Sequence, residues 1–415
     1  MREKITTKIS EELKSILIKF FDEHEVDMFI QNIMEEILIL TSINSFDRGG
    51  ESNSFASGSY FTSKIRSIAD RIMTFARENL DDSKYYVFLI EFGKMMVTEG
   101  EFFLASEIFS NILKYSAQSK DLQSITIEAN INLANIYIYQ AFWSNALYHL
   151  NEAKELLKSF DNNKKYLSKC EHLLGIITFQ KGDLKNAKQI FLKGLSYLDK
   201  DKDLLLVGNI EISLGNVSYI EGNYDEAIEL YQSCLKKFTE LGDNRRIVEV
   251  RNNMGMVYTK KKEYEYALFE FDECSKLASE GRYLPILGIS NLNKAMVYIE
   301  INELKLSAFY ANKAMDISYQ VHNTVAIADI YKLKGMIAKR QFEFQLAEEY
   351  LKASLRLNNE LNNDLNFAET AVELGLLYLE LNIKNSYEFY FNKALEYYQD
   401  INAKDKVDEI KEYLK

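Results

Sequence analysis

Apolar residues recur three and four positions apart through most of this chain, as in Leu214, Val217 and Ile220 or Ala227, Leu230 and Tyr231. That spacing lines them up on one stripe of a helix, so the pattern predicts amphipathic helices almost throughout. The stripes repeat. A small residue inside a short apolar run falls at Gly93, Ala134, Gly175, Gly215, Gly255, Ala295, Gly335 and Gly375, at intervals of 41, 41 and then 40 residues. Twelve positions later stands a second small residue: Ala105, Ala146, Ala187, Ala227, Ala267, Ser307 and Ala347, with Tyr387 as the departure. Four beyond that the side chain is mostly large: Phe109, Leu150, Phe191, Tyr231, Phe271, Leu351 and Phe391, with Ala311 as the exception. Between the two small columns lies an apolar turn residue: Phe102, Trp143, Leu184, Tyr224, Tyr264, Leu304 and Phe344.

Each period therefore reads as two helices joined by a short turn such as Gly182-Asp183 or Glu221-Gly222-Asn223. Small residues let the two helices approach, and large ones fill the gaps between neighbouring units. One hairpin cannot bury its own apolar face, so stacking must supply the core. The expected fold is all-α, a right-handed superhelical solenoid of about eight hairpins over residues 85–401. Residues 1–84 lack the repeat and read as an N-terminal helical module. Its expected helices run from Ile5 to Phe21, Val26 to Leu40 and Thr62 to Glu78, with a Gly/Ser-rich loop at 44–61. Residues 402–415 read as a capping helix from Lys404 to Leu414.

Composition narrows this picture. The chain has one proline, Pro285, where compact domains average about 5%. Proline removes a backbone donor inside helices, so its scarcity suits long helices. The net charge of −12 and pI near 5.1 argue against nucleic acid as a partner. Cys170, Cys234 and Cys274 are far apart and odd in number, which fits reduced thiols in a cytoplasmic setting. No secretory h-region and no long uncharged apolar stretch stand out, so no membrane partner is expected.

The runs Asn252-Asn253-Met254-Gly255-Met256-Val257-Tyr258 and Tyr224-Asp225-Glu226-Ala227-Ile228-Glu229-Leu230-Tyr231 resemble the tetratricopeptide repeat in its forty-residue form. The family's longer-repeat members include kinesin-light-chain-like proteins and peptide-sensing Rap-type regulators. The resemblance implies a scaffold or adaptor that holds a protein or peptide in a concave groove lined by first helices. It also allows a second reading: a peptide-responsive regulator whose N-terminal module engages an effector, in the Rap-like layout. That module lacks a helix-turn-helix signature. It equally suits a cap on the open end of the stack.

Asparagine is a poor residue for helix interiors, since its side chain competes for backbone hydrogen bonds. Yet the first helices carry Asn132, Asn135, Asn209, Asn216, Asn252, Asn253 and Asn293. An amide both donates and accepts, so such a ladder suits the backbone of an extended peptide. Lys332, Lys339 and Arg340 share the groove spacing, along with Lys94, Lys169, His172, Asp329 and Glu369. A carboxylate clamp of the family's Lys/Asn type is incomplete, because Ile131 stands one turn before Asn135.

Catalytic signals are weak, and the chain is expected not to be an enzyme and to carry no cofactor. His24 lies among acids in an inter-helix turn. Asp199, Asp201 and Asp203 imitate a calcium loop, but Leu204 and Ile210 replace its glycine and glutamate. No phosphate loop or HExxH is present. Cys234 and Cys274 share a column with Ala153, Ala314 and Ala394 and read as small packing residues. The sequence leaves the oligomeric state open.

Overall fold

The computed structural model describes residues 13–43, 56–98, 100–116, 120–161, 163–281, 283–321, 323–401 and 403–414, with backbone alone at 34–43, 56–65 and 120. Among these residues there are helices and no strands. The chain divides by packing into two compact units, Met1–Asp199 and Lys200–Lys415.

The first unit opens with a helical turn at 13–17, followed by α1 (Glu23–Ile43) and α2 (Ala56–Asn79). The expected helix over Val26–Leu40 is thus longer at both ends. The expected third helix begins at Ala56, not Thr62, so residues 56–61 belong to it and not to the loop. Residues 44–55 of that loop and Ile5–Glu12 of the first expected helix lie outside the described residues. Three hairpins follow: α3 (Asp82–Thr98) with α4 (Phe102–Ser116), α5 (Gln123–Tyr139) with α6 (Trp143–Leu157), and α7 (Lys164–Gln180) with α8 (Leu184–Ser196). Leu13, Leu17, Val26, Ala69 and Ile72 share one continuous core with Phe88, Phe92 and Phe109 of the first hairpin. The Phe20 ring meets Phe88 edge-on at 5.7 Å between centroids.

The second unit holds five hairpins: α9 (Leu204–Ile220) with α10 (Tyr224–Leu241), α11 (Asn244–Lys260) with α12 (Tyr264–Glu280), α13 (Leu284–Glu300) with α14 (Leu304–Gln320), α15 (Thr324–Arg340) with α16 (Phe344–Glu360), and α17 (Asp364–Glu380) with α18 (Lys384–Asp400). A short α19 (Lys404–Tyr413) closes it. Ile410 is buried there, and Tyr413 stacks on Phe391 at 5.4 Å.

Local chemistry sets the ends of these helices. Asp183, Asp243, Asn323 and Asn363 stand before first turns and accept a backbone N–H from the residue three positions on. Pro285 sits in the first turn of α13, where a missing N–H costs nothing. Each hairpin turn puts one residue at positive φ: Gly100, Ala141, Gly182, Gly222, Lys262, Asn302, Phe342 and Asn382. The N–H of that residue and the N–H of the one after it close onto the last turn of the helix, as in Phe342 N–H to Lys339 O (3.0 Å) and Glu343 N–H to Ala338 O (2.9 Å).

The small and large columns meet inside each hairpin. A Cβ built on Gly255 would lie 2.5 Å from the Phe271 ring, and on Gly215 2.6 Å from Tyr231. Where the first column is Ala295, the partner four beyond the second column is Ala311, and both are fully buried. Volume is shared between the two positions, although the other alanine of the first column, Ala134, still stands with Leu150. Ser307 fits the alanine column because its hydroxyl donates to Ala295 O at 2.7 Å. Cys234 and Cys274 are buried as packing residues beside Ala314 and Ala394 of the same column. The seven apolar turn residues, Trp143 among them, are each the first residue of a second helix and half-buried.

Candidate functional site

In the second unit, successive first helices are joined side chain to side chain. Asn216 on α9 accepts from the Tyr231 hydroxyl (2.6 Å) and from the Asn253 amide on α11 (3.3 Å). Asn252, one position earlier on α11, accepts from the Asn293 amide on α13 at 3.0 Å. Asn252 is only 4% exposed, and its own amide approaches Met256 Sδ at 3.8 Å. Four of the seven asparagines expected from the sequence are thus brought together in pairs that bridge hairpins. Asn253 and Asn293 are half-buried and use one donor each. Asn209 is not joined to them, and its buried carbonyl oxygen has no partner among the described residues.

The same face continues in charged pairs. Lys332 on α15 bonds Glu369 on α17, with Asp329 at 3.8 Å. Asn366 donates to Asp329 at 3.0 Å. Burial raises the Asp329 carboxyl above its ordinary range, and the Lys332 ammonium only partly opposes this. Lys339 pairs with Glu373 at 2.7 Å. Arg340 donates to Ile299 O and lies 3.9 Å from Glu300. The three basic residues expected from the sequence therefore reach across to neighbouring hairpins.

In the first unit the corresponding row is ionic. Glu128 on α5 takes Lys94 from α3 at 2.6 Å and Lys169 from α7 at 3.3 Å. Glu91 joins Lys94 at 3.1 Å and Lys19 at 3.4 Å. Burial pushes the Glu128 carboxyl up, but the Lys169 and Lys94 ammoniums together outweigh it and hold it below the ordinary carboxylate range. Asn132 turns back onto its own helix, donating to Glu128 O at 2.8 Å. Asn135 is half-buried. Ile131 is buried in the core, so it does not present itself where a clamp lysine would stand.

A row that sequence reasoning missed runs beside the asparagines. One position after the small column stand Met256, Met296 and Met336, on α11, α13 and α15. Met296 is exposed and the other two are half-buried. Their forty-residue spacing was the available signal. Thioethers are flexible and polarizable, and methionine-rich faces adapt to varied apolar side chains.

The remaining candidates have local roles. The backbone N–H of His24 donates to Asp22 Oδ1 at 2.9 Å at the head of α1. His149 Nδ1 lies 2.8 Å from Asn130 Oδ1, its ring stacks on Tyr137, and burial lowers its pKa. His322 lies outside the described residues. Among the described residues no group of three or more His, Cys, Asp or Glu is placed to hold a metal, and no helix is long and apolar enough to cross a membrane.

Comparison with known proteins bears on this arrangement. Residues 206–280 match the family model described as tetratricopeptide repeat. A TPR repeat-containing protein of Methanocaldococcus jannaschii, MJ1428, is 24% identical over 324 residues, covering 73% of this chain and 52% of the relative. The chain thus spans about half the length of that curated relative. Among solved structures, a Rap protein complexed with competence and sporulation factor aligns with a TM-score of 0.58 at 12% identity, over 80% of this chain and 97% of that one. NprR in complex with its cognate peptide NprX aligns at 0.55 and 14% identity, over 81% and 97%. The apo form of RapI aligns at 0.57 and 14%, over 79% and 96%. Those identities speak to fold alone. With hairpin upon hairpin in both units, the chain is similar in fold to the Rap type, and residues 206–280 carry the tetratricopeptide repeat.

Proposed function

We propose that this chain is a protein-interaction scaffold whose second unit holds an extended peptide or partner helix on its first-helix face. The observation that carries the reading is the pairing of Asn216 with Asn253 and of Asn252 with Asn293, alongside Met256, Met296 and Met336. The pairs hold the amides in fixed orientations, and Asn253 and Asn293 each keep a second N–H for a peptide carbonyl. The methionines supply adaptable contacts for apolar side chains. Lys332, Lys339 and Arg340 shape the charge of the same face. The chemistry assigned is recognition, with no catalytic step.

The test is capture by the immobilised full chain from a native extract, read by mass spectrometry. It is run beside the variant Asn253→Ala/Asn293→Ala, whose far-UV circular dichroism is recorded in parallel. Asn216 and Asn252 are the wrong residues to remove, since one accepts from the buried Tyr231 and the other is itself buried. Loss of the captured partner with unchanged helicity supports the reading. Equal capture by both forms refutes it.

A second reading is a peptide-responsive regulator. It draws support from the likeness to Rap and NprR structures that hold competence and sporulation factor and NprX. In it, residues 1–84 form the effector arm, residues 85–401 the repeats and residues 402–415 the cap. The core shared between the N-terminal helices and the first hairpin favours a cap over an arm that swings free. A change in radius of gyration on adding a captured peptide separates a regulator from a passive scaffold.

A further inference from the structure

The exposed flank of the second helices carries an apolar patch that hairpin stacking does not require. On α12, Tyr266 and Phe269 stand one turn apart and are 62% and 58% exposed; on α14, Leu306 and Phe309 hold the same two repeat positions at 41% and 49%. The two helices flank one side chain: Lys294 bonds Asp272 on α12 and lies 4.1 Å from the centroid of Tyr310 on α14. At the same two positions α10 has Glu226 and Glu229, while α16 has half-buried Leu346 and exposed Glu349. The apolar surface is thus bounded by carboxylates on both sides. Helices α10 and α12 together carry nine acidic side chains and three lysines. On α14 the Lys313 ammonium covers Phe309 at 4.5 Å, a place that a partner's cation or apolar group competes for.

Large exposed aromatics grouped this way mark contact surfaces. Their rim is acidic, so it repels an anionic membrane and attracts a cationic segment. Anchors at i and i+3 on two neighbouring helices match the apolar stripe of a third helix laid across them. We propose that Tyr266, Phe269, Leu306 and Phe309 form a docking site for a basic amphipathic helix of a partner protein. The site is separate from the first-helix face and does not depend on it.

The probe is a synthetic fourteen-residue leucine–lysine amphipathic helix, titrated into the full chain and followed by fluorescence anisotropy. A leucine–glutamate helix of the same spacing is the control. The leucine–lysine helix binds, more weakly as salt rises, and the leucine–glutamate helix does not. Phe269→Ser/Phe309→Ser weakens binding at least tenfold with Tm unchanged. Phe389→Ser, an exposed phenylalanine of the eighth hairpin, leaves it unaltered. Glu226→Gln/Glu229→Gln weakens binding and flattens its salt dependence, and it serves as the reading if the serine pair fails to fold. Equal binding by wild type and the serine pair means diffuse attraction to an acidic chain and overturns the proposal. Self-association abolished by the serine pair, without leucine–lysine binding, assigns the patch to a second copy and overturns it as well.

Discussion

Gly255 and Phe271 offer a direct test of the packing argument, because two opposing effects meet at one position. Replacing a helical glycine by alanine favours the helix by about 1 kcal/mol. Here the new methyl would stand 2.5 Å from the Phe271 ring, where carbon atoms normally sit about 3.5–4 Å apart. Phe271 is fully buried and cannot swing aside. Overpacking of this kind costs about 1–3 kcal/mol, so Gly255→Ala should destabilise by about 1 kcal/mol net. Phe271→Ala alone should cost about 3–5 kcal/mol. In that background Gly255→Ala regains helix propensity and fills part of the cavity, a gain of about 2 kcal/mol. The coupling between the two sites is then about 3 kcal/mol. The sixth hairpin already carries this combination, as Ala295 and Ala311. The assay is urea unfolding of the four forms by far-UV circular dichroism, with m compared to guard the two-state reading. Additivity within about 0.5 kcal/mol would refute the reasoning, as would stabilisation by Gly255→Ala in both backgrounds.

Phe342 sits at φ 62° and is 74% exposed, in a turn position held elsewhere by Gly or Asn in five of the seven other hairpins. Phe342→Gly removes a left-handed strain of about 1 kcal/mol and should raise Tm by roughly 2 °C in a thermal melt; a fall in Tm would show that the ring packs. Burial pushes the thiols of Cys170 and Cys234 up to about 12 and that of Cys274 to about 11. At pH 8 dithiobis(nitrobenzoate) should therefore find none of the three in the native chain and all three in guanidinium, and one fast-reacting native thiol would contradict the buried packing. Glu128→Gln leaves Lys94 and Lys169 without their shared carboxylate and should cost about 1–2 kcal/mol at pH 7. The folded carboxyl lies below its ordinary pKa of 4.5, so its contribution is present above that value and lost as pH falls through the folded one. The Tm gap between wild type and variant should therefore shrink as the pH falls below 4.5 and close once Glu128 is protonated in the folded chain, and a gap unchanged down to the acid limit of folding would rule out the ion pairs as its cause.

Lys261, in the turn between α11 and α12, shows where sequence reasoning stops. It bridges Asp225 of the preceding hairpin at 2.8 Å and Glu263 at 3.1 Å. A pair separated by 36 residues leaves no local mark, since its spacing belongs to the stack and not to the helix. Asparagine at first-helix positions was visible as an anomaly of propensity, and the structure supplies its tertiary compensation in Asn216–Asn253 and Asn252–Asn293. The methionine row had the same visibility as the small column, but methionine is also an ordinary core residue, and exposure alone separates the two cases.

Helix content, hairpin period and the paired small and large columns were determined by sequence alone, because they rest on periodicity and volume, which side-chain identity carries directly. Which asparagine faces a neighbour and which keeps a free donor was decided only by the stacking of hairpins. So was the division of the chain into two compact units at Asp199. Those outcomes depend on distances between residues about forty positions apart, and only packed helices set such distances.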